Sequence, residues 1–491
     1  MQYFSTRDSE LRVSAQEAIV RGLAPQSGLF VPEAFPKADL EGWKNLSYPE
    51  LAEKVLAGFL TDYSADFLHN ATAATYGAAF DGKAGRTVKV REGLYSLELW
   101  HGPTCAFKDY ALQLMPKLLV EAKKMLGRTE TTRILVATSG DTGKAALAGY
   151  ADLDGIEIEV FYPNDGTSEI QHLQMATQKG GNVQVYAVQG NFDDAQTGVK
   201  KLFGDKEFAK ELADSGFQFS SANSINIGRL VPQVVYYVYA YAKLLENGEI
   251  EDGEKINVTV PTGNFGNILA AYFAKHMGVP IDKLICASNE NKVLYDFFTT
   301  GTYDRKRDFI LTNSPSMDIL ISSNLERLIY LSTGCDAEKN AELMENLSRN
   351  GAYTITEEMK KAMSDFWGGF ATQEEDGAMI RKVFKETGYL MDTHTGVGAA
   401  VYQKYQKETG DQTKTVIAST ASPYKFSRSV MEAIAGPQDE ADEFALIDKM
   451  SRLSGTEIPQ AVEEIRTAPI RHNRECSVEA MKAEVKDILK N

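Results

Sequence analysis

Basic residues are in the minority. The chain of 491 residues carries 52 Lys and Arg against 68 Asp and Glu, a formal net charge of −16. Nucleic-acid binders draw affinity from neutralised phosphates, so this balance argues against a nucleic-acid partner. It does not argue against a phosphorylated small molecule, which a few local donors can hold. Cysteines are also scarce: Cys105, Cys286, Cys335 and Cys476 lie far apart with no C-x-x-C pair. Neither a zinc site nor a disulfide framework follows, and each reads as a reduced thiol in the core or on the surface. Long apolar runs are missing too. The most apolar continuous segment, residues 234–242, is far short of a membrane span and ends at Lys243. The first residues, M-Q-Y-F-S-T-R-D, lack the basic-then-apolar run of a signal peptide. The expectation is a soluble cytoplasmic protein with no membrane partner. No internal repeat or low-complexity segment is visible, and no G-x-G-x-x-G opens a helix after a strand, which disfavours a nucleotide-binding dehydrogenase.

What is present is an ordinary globular balance, 43% hydrophobic and 24% charged residues. The length is too great for one core, so two or three domains are expected. Residues 14–23 suit a helix with Ala15, Ala18 and Ile19 on one side, followed by a turn-rich stretch holding Pro25, Gly28 and Pro32. From Leu94 the pattern alternates. Short apolar runs at 134–137, 156–162, 183–188, 256–260 and 415–419 read as strands separated by helical segments, which implies βαβ units and a largely parallel sheet. A turn is expected at 163–166, in P-N-D-G. Pro116 sits inside a helical pattern spanning 111–126, so the helix either begins near Met115 or is kinked there.

Three stretches carry the chemistry. Thr262-Gly263-Asn264-Phe265-Gly266-Asn267 follows a strand and opens a helix; its glycines let backbone N–H groups turn inward, and the helix start adds partial positive charge. It reads as a phosphate cradle or as a plain strand-to-helix turn. Ser139-Gly140-Asp141-Thr142-Gly143 has the same layout. Lys144 beside it suggests a Walker A loop, but Thr138 stands where the first glycine belongs and Ala145 follows the lysine, so nucleotide binding is disfavoured. The loop suits an amino acid's α-carboxylate instead. The third stretch, 96–112, is S-L-E-L-W-H-G-P-T-C-A-F-K-D-Y-A-L. Gly102 and Pro103 fix a tight turn before Lys108, while Ala106 and Phe107 make its surroundings apolar. That favours the neutral amine, a nucleophile suited to imine formation with an aldehyde cofactor.

H-G-P-T-C-A-F-K-D-Y-A resembles the cofactor-lysine segment of the threonine synthase family, which usually carries H-G-P-T-x-A-F-K-D. Four further segments match in the same order between Tyr3 and Phe426, among them A-T-S-G-D-T-G and S-T-A-S-P-Y-K-F, so the resemblance covers nearly the whole chain. The start resembles the longer form of the family, with Gln26-Ser27 where that form usually has Asp-Gly. Ser422 stands where the family commonly has His. The resemblance implies pyridoxal 5'-phosphate as cofactor and conversion of O-phospho-L-homoserine and water to L-threonine and phosphate. It implies Lys108 as the cofactor-bearing catalytic residue, and Gly263, Asn264, Phe265, Gly266, Asn267 and Thr420 as further cofactor contacts. Ser139, Gly140, Asp141, Thr142 and Gly143 are the implied substrate loop, with Asn226 and Arg229 of N-S-I-N-I-G-R-L as additional substrate contacts. Arg229 alternatively reads as an exposed helix-end residue, and Thr420 as a satisfied strand-end threonine. His394 and His101 read as structural, although His394 could serve a proton transfer.

The implied fold is tryptophan synthase β-like (PLP fold type II): α/β, with two open, mainly parallel sheets and helices on both faces. An N-terminal extension is expected at 1–93 and a large cofactor-binding domain at 94–125 plus 250–430. A small substrate-loop domain is expected at 126–249 and a helical C-terminal segment at 431–491. No metal is expected, and the assembly reads as monomer or homodimer. A pyridoxal-phosphate-dependent dehydratase and a catalytically silent binding protein are the rival readings.

Overall fold

The computed structural model describes residues 1–164, 167–190 and 192–487; of the turn expected at 163–166, Asp165 and Gly166 lie outside the described residues. Two sheets organise the chain. The larger has six strands in the order Phe366–Phe370, Ile281–Ser288, Ile256–Pro261, Thr415–Ser419, Leu94–Glu98 and Arg86–Arg91. All neighbours pair parallel except the last two, which form an antiparallel hairpin. Its central strands are buried at every position. This is why they read as continuous apolar runs and not as alternation, since helices cover both faces of a parallel sheet.

The smaller sheet has five parallel strands, ordered Arg474–Cys476, Val183–Val188, Ile156–Pro163, Thr131–Ala137 and Phe217–Ser220. The chain therefore has the expected mixed α/β architecture with parallel sheets. The strand Arg86–Arg91 belongs to the large sheet, so its hairpin straddles residue 93. The C-terminal segment is helical but also supplies Arg474–Cys476 as an edge strand of the small sheet.

Local chemistry sets the element ends. Ser14 caps the helix Ala15–Arg21 by accepting from the Glu17 amide at 3.2 Å, and Gly22, with φ of 69°, stops it. Pro116 lies in the first turn of a separate helix, Met115–Met125, where its missing N–H costs nothing; of the two alternatives, a helix starting near Met115 is the one realised. The apolar segment 234–242 sits inside Ile227–Glu246, a helix buried nearly all round against Tyr48–Phe59 and Gly266–His276. Among the described residues no helix is long and apolar enough to cross a membrane.

Candidate active site

The Lys108 loop takes its shape from its neighbours. Asp109 folds back on the Gly-Pro-Thr turn, accepting from the Thr104 amide at 2.8 Å and its hydroxyl at 2.7 Å. Any side chain at Gly102 would strike that carboxylate, with a Cβ only 2.5 Å from an oxygen. Three backbone hydrogen bonds then stitch the loop to the end of the strand Thr415–Ser419: Leu99 N to Ser419 O, Phe107 N to Thr420 O and Ser422 N to Cys105 O, at 2.9–3.0 Å. Lys108 and Thr420, far apart in sequence, are thus held together by main chain.

Lys108 is partly buried, and its Nζ makes no hydrogen bond or ion pair with the described residues; it lies 4.0 Å from the centre of the Phe107 ring. A ring face favours the cation. Burial outweighs it and, helped by the nearby charges of Arg229 and Lys425 against that of Asp141, lowers the amine to about 7. The Thr420 hydroxyl likewise makes no hydrogen bond with the described residues, and the residue is only 5% exposed.

The loop at 262–267 leaves a row of amides free. The Thr262 amide is spent on Ala287 O at 2.8 Å, but none of the described residues accepts from the amides of Gly263, Asn264, Phe265, Gly266 or Asn267. Phe265 takes a left-handed conformation (φ 66°, ψ 0°) just before the helix Gly266–His276, while its ring packs on Phe298 and Phe366. Gly263 has no room for a side chain, since a Cβ would lie 2.6 Å from the Ser316 carbonyl oxygen. Tyr236 donates to Asn267 Oδ1 at 2.9 Å and Tyr237 donates to the same oxygen, which leaves Asn267 Nδ2 buried and without a partner. Buried donors rarely stay unpaired. An amine lowered to about 7, five free amides, one free carboxamide N–H and a free hydroxyl fit pyridoxal phosphate: aldehyde, phosphate and ring nitrogen each have a chemically matched group.

The loop at 139–143 is less open than its glycines imply. The Thr138 hydroxyl accepts from Gly140 N at 3.0 Å and Gly143 N at 2.9 Å, so those two amides hold the loop together and do not face a ligand. The amides of Ser139, Asp141 and Thr142 remain without a partner among the described residues. Gly140 has φ of 137°, and a Cβ there would meet the Gln171 side chain at 2.6 Å. The Asp141 carboxylate pairs with Lys425 Nζ at 2.6 Å and accepts from Gln171 Nε2 at 2.9 Å and Ser316 Oγ at 3.3 Å. Burial pushes the acid up, but the Lys425 charge and these hydrogen bonds outweigh it and hold Asp141 at about 2.

Arg229 is 2% exposed, not an exposed helix end. Its Nη1 donates to Ala222 O at 2.7 Å, its Nε has no partner, and no carboxylate of the described residues pairs with it. Burial lowers it to about 10, which still leaves a cation near neutral pH. Asn226 carries structural bonds: its Oδ1 caps the helix Ile227–Glu246 at Gly228 N (2.9 Å) and its Nδ2 donates to Ile19 O (2.9 Å). His394 is structural: Nδ1 meets Asp392 at 2.7 Å and Nε2 accepts from Ser316 N at 3.1 Å. His101 pairs with Glu98 at 2.7 Å. Ser422 is buried and caps its own turn, accepting from the Tyr424 amide at 3.3 Å. Sequence reasoning missed Thr138, Gln171, Ser316 and Lys425. The one signal for Lys425 was a charged residue inside S-T-A-S-P-Y-K-F, a stretch otherwise free of charge and, as the structure shows, wholly buried.

This fold and this set of free groups define a class. A family model described as "Pyridoxal-phosphate dependent enzyme" matches residues 85–421, and the chain belongs to that class. Models described as "Threonine synthase N terminus" and "Threonine synthase, C-terminal" match residues 2–76 and 395–472. Threonine synthase of Schizosaccharomyces pombe is 36% identical over 472 residues, covering 89% of this chain and 90% of that protein. The crystal structure of a PLP-bound threonine synthase from Brucella melitensis matches with a TM-score of 0.87 at 33% identity, covering 100% of this chain and 99% of that one. The chain belongs to the threonine synthase family. It is also 40% identical over 446 residues to "Threonine synthase-like 1" of Macaca fascicularis, a longer protein of which it spans 59%.

Proposed function

We propose that the chain converts O-phospho-L-homoserine and water to L-threonine and phosphate in the cytoplasm. The observation that carries this reading is Lys108: a partnerless amine that is half neutral at about pH 7, fixed by main chain beside a free Thr420 hydroxyl. Lys108 Nζ would hold pyridoxal phosphate as a Schiff base, with the amides of 263–267 and Asn267 Nδ2 on its phosphate and Thr420 at its ring nitrogen. Bound there, the cofactor supplies the electron sink that makes the substrate's Cα–H and Cβ–H acidic.

The chain's own groups divide the remaining work. The free amides of Ser139, Asp141 and Thr142, at the start of a ten-residue helix, suit the substrate's α-carboxylate. Arg229, a buried cation lacking an anion, suits its phosphate. Lys108 would take the proton from Cα and then one from Cβ as phosphate leaves Cγ. Water adds its oxygen to Cβ, and protons return to Cα and Cγ, giving threonine.

The test uses purified protein with pyridoxal phosphate. A visible cofactor band should shift on adding O-phospho-L-homoserine, with phosphate and threonine released in equal amounts. Lys108→Ala should cost at least about 10²–10⁴-fold in rate, the usual worth of a positioned acid–base group. Formation of 2-oxobutanoate from threonine without phosphate release would make the chain a dehydratase instead. A Lys108→Ala variant indistinguishable from wild type would leave it no catalytic role.

A further inference from the structure

Lys425 is wholly buried, and in such a place a lysine needs both a counter-charge and hydrogen-bond acceptors. It has them from two directions. Its Nζ meets Asp141 Oδ1 at 2.6 Å, at the start of the small sheet's helix, and Thr104 O at 3.0 Å, in the loop that carries Lys108. Its backbone oxygen accepts from Ser168 Oγ at 2.8 Å. Ser168 N donates to Gln171 Oε1 at 3.1 Å, and Gln171 Nε2 donates to Asp141 Oδ1 at 2.9 Å. These contacts close a ring: Lys425, Asp141, Gln171, Ser168 and back to Lys425.

We propose that Lys425 is a positioning residue for the reaction, holding Asp141 turned away from the substrate and offsetting its charge beside Lys108. The reading rests on the proposed function and explains a difficulty within it. A bare carboxylate next to the amides of 139–142 would repel the substrate's α-carboxylate. Paired with Lys425, it does not, and the pair adds no net charge. Arg229 is then left as the uncompensated cation for the substrate's phosphate. The other ionisable groups facing this pair are Lys108, Asp109, Lys144 and Cys105. Among the described residues, Lys425 is the only ion-pair partner of Asp141.

The experiment is a pH titration of the cofactor band of the holoenzyme, without substrate, in four variants, alongside KM for O-phospho-L-homoserine. An anion near the lysine–cofactor nitrogen raises its titration midpoint and a cation lowers it, by about one pH unit at close range. Lys425→Met should therefore move the midpoint up and raise KM about tenfold, and Asp141→Asn should move it down. The double variant should return near wild type, as should Lys425→Arg. A purely structural role would not give opposite signs that cancel. Single variants that titrate like wild type, or that move the same way, overturn the proposal. Should Lys425→Met fail to fold, Asp141→Asn decides by itself: an unmoved midpoint overturns the proposal, a lowered one supports it. A wild-type protein that forms no band at all overturns the role of Lys108, and this inference with it, and so is told apart from the other failures.

Discussion

At the scale of single residues, the apolar setting of Lys108 was legible and its supports were not. Lys108 stands in an apolar stretch after a Gly-Pro-Thr turn, and burial alone predicts a lowered amine. The structure gives the size, about 7 instead of 10.5. The rate at which pyridoxal phosphate loads onto apoprotein should therefore rise with pH to a plateau just above 7, falling about tenfold per unit below it as the amine takes its proton. A rate that kept climbing toward pH 10 would mean that Lys108 is solvated. The two structural partners of Asn226, Gly228 N and Ile19 O, are invisible until the helix and the N-terminal segment meet. Gln26 and Ser27 show the opposite case. Both have φ near 60°, a left-handed pair that this chain adopts without glycine.

At the scale of elements, runs of β-branched and aliphatic residues announced their strands; composition hid the others. Phe366–Phe370 is F-W-G-G-F, and its two glycines weaken the strand pattern. Arg474–Cys476 is R-E-C, with two exposed charged residues, as suits a sheet edge. Glycine spacing marks the two loops as candidate anion cradles, but spacing does not say which amides stay free. Thr138 decides that at 139–143 by claiming two of them. Thr138→Val keeps the branched shape and removes the acceptor, so the loop should slacken. KM for O-phospho-L-homoserine should rise about tenfold while the cofactor band persists, the expected worth of one such hydrogen-bonding group. An unchanged KM would show that the loop amides do not bind substrate.

At the scale of the whole molecule, sheet order could not be read from the sequence, because it pairs strands hundreds of residues apart. The C-terminal segment docks on the small sheet by its strand and by Arg133, whose Nη1 donates to Val485 O at 2.9 Å. Arg133 also pairs with Glu157 and lies 3.3 Å from Glu159. Burial raises Glu159 from 4.5 to about 7, against the pull of Arg133. The folded state thus holds a proton on Glu159 that the unfolded chain gives up near 4.5. That stability is fully present below pH 4.5 and is lost as pH rises through 7. Glu159→Gln should gain on wild type by about 2 kcal/mol between pH 5 and pH 8, read from denaturant melts at each pH. A gap that does not change with pH would mean that Glu159 is not buried as described.

The stitching of 99–107 to 419–422 has a consequence for the order of events in the life of the chain. Until residues 419–422 have been synthesised and have docked, the loop around Lys108 has no fixed shape and its amine is an ordinary, protonated one. Vitamin capture should accordingly be a late event, delayed until the large sheet has assembled. Immature or misfolded copies would then not trap a reactive aldehyde that the cell keeps scarce.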